Sequence, residues 1–237
     1  MKSLIAGLLL ITGLTVAQNA NVDANQTGDT FRMQRLATST QGTGSTLTGG
    51  FSFYNPKFDR EGSVYLFDGW DNAARIYAKN DGGVFNSENI NFNIQRSMFE
   101  RKKGDSISSY NFASIEKIQV GGKTFKSYYY EPLKRQRVFE VIYQGDDFTI
   151  LKGYSIDILE ASPNPMLART RDKIIQRHEY YMDTEESIRE FKFNKSNIVK
   201  ALGPVKGEIA KEYAKKYDKS FGNEEDLKMI LNYVQHQ

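Results

Sequence analysis

Two histidines are all that this sequence offers for proton transfer near neutral pH, and they stand far apart. His178 sits in an alternating run with Ile174 and Tyr180, and His236 is the penultimate residue. Neither has a second histidine at metal-ligand spacing, and the chain contains no cysteine. Cysteine-ligated zinc, iron–sulfur clusters and thiol nucleophiles are therefore excluded. No G-x-S-x-G elbow is present to present a serine to His178. The one G-x-G, at Gly42–Gly44, lies in a low-complexity stretch rather than after a strand, so it does not read as a phosphate loop. The expectation is no catalytic residue, no metal and no cofactor.

Carboxylates offer a second chemistry. Asp68, Asp71, Asp81, Asp146 and Asp147 are the acids that paired-carboxylate hydrolysis of a glycan or peptide would draw on. Each stands in a turn with Gly or Asn next to it or one residue further on, where a short acidic side chain bonds its own backbone, and turn formation accounts for them better than catalysis. The calcium loop D-x-[DN]-x-[DN]-G does not occur.

Aromatic side chains offer a third, the stacking of a ligand ring, and the chain holds 14 Tyr and 15 Phe but one Trp. Three consecutive residues cannot share one side of a strand, so Tyr128, Tyr129 and Tyr130 must present at least one ring outward. They form the candidate ligand-binding set together with Trp70, although Trp70, between two apolar runs, is expected first as a core plug. Two basic clusters, Lys134, Arg135 and Arg137, and Arg169, Arg171, Lys173 and Arg177, could meet lipid phosphates or an acidic polysaccharide. A solvated loop face is the simpler expectation for both.

Something must hold these groups. At 237 residues, with 39% hydrophobic and 26% charged residues, the chain can bury a core. Its net charge of +3 is small and dispersed, which argues against a nucleic-acid surface. Lys2 precedes an apolar stretch over residues 4–16, and Thr15-Val16-Ala17 then offers a cleavage site before Gln18, the pattern of a signal peptide over residues 1–17. That stretch is well short of the roughly 20 residues a membrane span needs. The mature chain is expected to be exported and soluble, periplasmic or extracellular, with no transmembrane span. Without a cysteine after the cleavage site it is not a lipoprotein.

Residues 18–48, rich in Asn, Gln, Thr, Ser and Gly, read as a flexible polar tether in which Phe31, Met33 and Leu36 could add one short strand. Residues 49–182 read as strand after strand. A hairpin is expected over residues 62–83, with Val64 and Leu66 in one arm, Ala74, Ile76 and Ala78 in the other, and Asp68-Gly69-Trp70-Asp71-Asn72 as the turn. Further strands are expected at Val84-Phe85, Ile90–Ile94, Met98–Lys103, Ile115–Val120, Lys123–Tyr130, Arg137–Tyr143, Asp147–Leu151, Tyr154–Ile158 and Ile174–Met182. The fold class is mainly β, an antiparallel meander closing as a barrel or a sandwich. Residues 183–237 form a C-terminal helical segment packed on it. Asn194 caps a short helix that Gly203-Pro204 ends. Val205, Ile209, Tyr213 and Tyr217 mark a second helix, and Asn223 caps a third carrying Leu227, Ile230, Leu231 and Val234. The last two are expected to cover one edge or end of the sheet.

A leader ending Val-Ala-Gln, the YLF-x-x-W-x-x-A-x-I core of residues 65–76 and the strand Ile90–Ile94 carry a resemblance. So do the FEV-x-Y-x-G turn of residues 139–145 and the EEDL of residues 224–227. Over residues 49–234 the chain resembles an uncharacterised group of small exported β-rich proteins of Gram-negative bacteria. The resemblance implies fold and export, and no particular activity. The expectation is a non-catalytic β domain with a binding or assembly role, its partner an envelope protein or a glycan. The alternatives are a carboxylate-based hydrolase and a soluble carrier of a small apolar ligand.

Overall fold

Short runs with two-residue alternation, each closed by Gly, Asn or Asp, become antiparallel strands, and the strands assort into two sheets. The computed structural model describes residues 60–79, 82–161, 171–184 and 186–237, together with two strands followed as backbone alone. These two are β1 (Met33–Gln34) and β2 (Thr48–Phe53). The expected signal peptide lies outside the described residues, as does the tether apart from Met33, Gln34 and Thr48, and β1 falls among the residues that could add one short strand to that tether.

The five-stranded sheet runs β1-β2-β7-β6-β5, with β5 at Ile90–Asn93, β6 at Met98–Lys103 and β7 at Ser106–Tyr110. The eight-stranded sheet runs β13-β12-β11-β10-β9-β8-β3-β4. Its strands are β3 (Ala74–Ala78), β4 (Val84–Ser87), β8 (Ile115–Val120), β9 (Lys123–Tyr130), β10 (Arg135–Gln144), β11 (Thr149–Leu159), β12 (Lys173–Asp183) and β13 (Ile188–Glu190). Both sheets are antiparallel and neither closes on itself, so no barrel forms among the described residues. One core draws on both sheets: Ile90, Phe92 and Phe99 from the first meet Ile76, Ile118, Phe125 and Val138 from the second.

The expected hairpin over residues 62–83 is not what forms. Ala74–Ala78 is a strand, but its partners are β4 and β8, with Ile76 opposite both Phe85 and Ile118. Residues 60–67 instead make an irregular arm. It pairs with β12 through Glu61, whose N–H donates to Asp172 O and whose carbonyl accepts from Ile174 N–H. It pairs with β5 through Leu66 N–H to Phe92 O and Ile94 N–H to Val64 O. The buried Asn91 side chain explains the irregularity. Its Oδ1 accepts from Phe67 N–H at 3.1 Å and its Nδ2 donates to the carbonyls of Phe67 and Gly69, so a side-chain amide occupies the place of a regular ladder. Trp70 rides on this arm, half-buried and edge-on to Tyr65 with ring centroids 4.8 Å apart. It is not a core plug: the main core is filled by Phe92, Phe99 and Phe125.

The tail is helical as its capping residues require. Asn194 accepts from Asn197 N–H to open α1 (Lys195–Lys216), and Asn223 accepts from the N–H groups of Glu225 and Asp226 to open α2 (Glu224–Gln235). Gly203, at φ 75°, and Pro204 kink α1 where two separate helices were expected. Leu227, Ile230, Leu231 and Val234 are buried, at about 1.5–3 kcal/mol each before ordering costs. Their cluster includes Ile142, Phe148 and Ile150, with Tyr180 and Met182 against it. The helices thus cover one face of β10–β12 at the end beside the turn that joins β10 to β11.

Candidate functional site

The tyrosine triplet divides as alternation demands. Tyr130 is buried, at 7% exposure, against Phe139 and Tyr181, while Tyr129 on the opposite face is 53% exposed. Tyr128 shares the face of Tyr130, and burial together with the Asp183 charge pushes its hydroxyl up to about 12. Tyr128 and Tyr129 border a cleft of about 650 Å³ between the two sheets. Its other walls are Met98 and Tyr110 from one sheet, Phe112 from the turn after β7, and Ser127, Gln136 and Val138 from the other sheet, with Lys79, Arg96 and Arg135 beside them and no carboxylate. Tyr130 and Trp70 do not line it.

Next to this cleft the larger sheet forks. β10 pairs with β9 from Arg135↔Tyr130 to Glu140↔Phe125, but its pairing with β11 begins only at Glu140↔Lys152. Beyond Lys152, β11 continues to Leu159 paired with β12 alone, carried toward the smaller sheet by the arm. Side chains fill the gap. Ser97 Oγ accepts from Val138 N–H at 3.0 Å. Arg137 donates through Nη2 to Tyr154 O at 3.1 Å and through Nη1 to the Tyr181 hydroxyl at 3.1 Å. Gly153 is required at this point, because a Cβ there would stand 2.7 Å from Tyr181 Cε2 and 2.8 Å from Arg137 Nη2.

Arg137 is therefore no part of a solvated loop face. It is 8% exposed, and its Cζ lies 4.9 Å from the Phe139 ring centroid, 5.2 Å from Tyr181 and 5.5 Å from Tyr130. It forms no ion pair among the described residues. The rest of the two basic clusters meets the expectation more nearly: Lys134 and Arg135 are exposed, Lys173 pairs with Glu61 at 3.0 Å, and Arg177 pairs with Asp157. Arg169 lies outside the described residues. A second cleft, of about 450 Å³, runs in the fork and shares Ser97 and Arg135 with the first.

On the other side of the fork a polar seam separates two apolar clusters. Along β10 the order is Val138, Glu140, Ile142, and along β11 it is Ile150, Lys152, Tyr154, Ile156, so charged and phenolic groups interrupt the inward phase of both strands. Glu140, 3% exposed, accepts from Lys123 Nζ at 2.8 Å and from the Tyr154 hydroxyl. Lys152 donates to Glu224 of α2 at 2.8 Å, and Tyr180 donates to the same oxygen. Burial, then the Glu140 bond and charge, raises the Tyr154 hydroxyl far above its ordinary value. Tyr180 is raised by burial and by Glu224. Burial works against ionised Glu224, yet the bonds from Lys152 and Tyr180 hold its carboxyl below the usual range. His178, beside the seam against Tyr154 and Tyr180, is lowered by burial and by Lys152.

These groups are saturated with one another. Neither Glu140 nor Glu224 lines a described cleft. Among the turn aspartates, Asp68, Asp71 and Asp146 are exposed, Asp147 pairs with Lys206 of α1, and Asp81 lies outside the described residues. Among the described residues no three acidic or histidine side chains gather as metal ligands. Nor is any helix of the described residues long and apolar enough to cross a membrane. Comparison with family models, with curated proteins and with solved structures finds no match.

Sequence reasoning singled out Tyr128 and Tyr129 but passed over Glu140, Lys152, Tyr154 and Glu224. The available signal was a charge in the inward phase of an otherwise apolar strand, as in Val138-Phe139-Glu140-Val141-Ile142.

Proposed function

We propose that this chain is an exported, non-catalytic binding domain of the bacterial envelope, periplasmic or at the cell surface, and that it takes a glycan in the cleft beside Tyr129. It is a member, on this reading, of the group of small exported proteins that its motifs resemble. The observation that carries the reading is the cleft itself. A 53% exposed tyrosine stands at the mouth of about 650 Å³ whose walls mix Phe112 and Met98 with the amides of Asn111 and Gln136 and the Ser127 hydroxyl. Apolar walls with a few polar groups are what a small-ligand site requires, and an exposed ring beside amides suits a pyranose. The hydrolase alternative is less well supported, because the buried carboxylates are consumed, Glu100 by Arg96 and Tyr65 and Glu140 by Lys123 and Tyr154, and half-buried Glu224 is held by Lys152 and Tyr180. Of the two closures considered for the sheets, their shared core favours an open sandwich.

The test is a calorimetric titration of the folded protein with neutral cello- and chito-oligosaccharides. Saturable binding that weakens by about tenfold in Tyr129→Ala, with an unchanged melting temperature, is the expected result. Absence of saturable binding to either series, or equal binding by the variant, would overturn the glycan reading.

A further inference from the structure

We infer a second site, adjoining the Tyr129 cleft at Ser97 and Arg135: the fork between β10 and β11 binds a carboxylate carried on an apolar tail, with Arg137 as its anchor. A charge taken out of water is costly unless it is paired. Arg137 is more than nine-tenths buried, yet no acidic side chain within the described residues pairs with it. Three aromatic faces and two neutral acceptors, Tyr154 O and the Tyr181 hydroxyl, are its whole environment of recorded contacts. A guanidinium has five N–H donors in a planar fork, and two of its bonds are recorded here, which leaves donors for a bidentate oxyanion.

The surroundings choose among oxyanions. Arg137 lines the 450 Å³ cleft together with Arg135, and the remaining wall sets the aliphatic side chains of Ile94, Leu133, Ile156 and Ile158 among polar ones such as Gln95 and Ser155. Leu133 is 47% exposed and Ile158 36%, so apolar surface lies open to the same solvent the cleft opens on. The one carboxylate in the lining, Glu179, accepts from the Tyr181 hydroxyl at 2.9 Å, and it disfavours a multiply charged group such as phosphate. A monoanionic head against Arg137 with a hydrocarbon tail along Leu133, Ile156 and Ile158 satisfies both halves of the cleft. The same chemistry is offered by a free medium-chain acid and by the C-terminal residue of an apolar peptide.

Isothermal titration of the full chain separates these sources. The probes are decanoate below its micellar concentration, decanol, inorganic phosphate, and an apolar pentapeptide ending in Leu-Ile as free acid and as amide. Binding of decanoate or of the free-acid peptide, at least about tenfold tighter than decanol or the amide, is expected, because bonds to a charged group are at stake. Whichever binds names the source. Arg137→Met should weaken that binding roughly tenfold to a hundredfold. Ile158→Asp, at a partly exposed position, should weaken it as well and serves if Arg137→Met does not fold. Equal binding of decanol or the amide, binding of phosphate alone, no binding of any probe, or unchanged binding by both variants would overturn the inference. None of these results bears on Tyr129→Ala, so the glycan reading stands or falls separately.

Discussion

Two buried charged sites flank the point where β10 and β11 part, and they are compensated in opposite ways. In the seam, each buried charge has an opposite charge and a phenol: Glu140 with Lys123 and Tyr154, Glu224 with Lys152 and Tyr180. In the fork, Arg137 has rings, a carbonyl and a hydroxyl but no direct ion pair, and Glu179 reaches it only through the Tyr181 hydroxyl. A complete network holds a structure together and leaves nothing to offer a ligand. An incomplete one is a place where a ligand can complete it. The molecule thus separates its structural from its recognition electrostatics by the width of one strand pair.

The largest effect is expected from breaking the complete network. Glu140→Gln leaves Lys123 and the Tyr154 hydroxyl without their anion, and loss of one partner of a buried ion pair costs about 3–5 kcal/mol. With Lys123 itself 34% exposed, the lower end is expected. A urea melt decides it, and a shift below about 1 kcal/mol would mean that the seam is not structural.

A smaller effect is expected where the two sites touch. Gly153→Ala drives a methyl onto Tyr181 and Arg137, and overpacking of this kind costs about 1–3 kcal/mol. If the variant melts like the parent, β11 does not approach Arg137 closely in solution.

The smallest is expected at the fork. Arg137→Met removes a desolvated charge along with its two bonds and ring contacts, so the terms oppose and stability should change by less than about 1 kcal/mol without ligand. A loss as large as that of Glu140→Gln would erase the contrast and make Arg137 a structural cation.

Sequence patterning located most of the strands because alternation is local. Met98–Lys103, Ile115–Val120 and Lys123–Tyr130 have the bounds that their turn residues imply. It missed β7, whose Ser-Ile-Ser-Ser-Tyr carries little apolar contrast, and it split β11 at Lys152, where a charge stands in the inward phase. The arm was misread for a different reason. Val64, Leu66 and Trp70 carry a strand's composition, but Val64 and Leu66 pair with β5, and Asn91, a residue remote in sequence, takes the backbone bonds of Phe67 and Gly69 between them and Trp70. The Tyr128–Tyr130 argument identified an outward ring because three neighbours cannot share a face. Arg137 looked like any surface arginine, since its burial depends on how two distant strand pairs diverge.

The arm also bears on how quickly this fold can assemble. Gln176 donates to the carbonyls of Ser63 and Tyr65, two bonds that join residues 113 and 111 positions apart. Hairpins such as β6–β7 and β8–β9 close over a few residues and can form early. The arm can meet β5 over a short stretch of chain, but its pairing with β12 closes a far longer loop, whose entropy is met late in folding. The fork is therefore the last part of the sheet to gain its far wall, and a chain stalled before that step would hold its two apolar clusters while lacking the pocket.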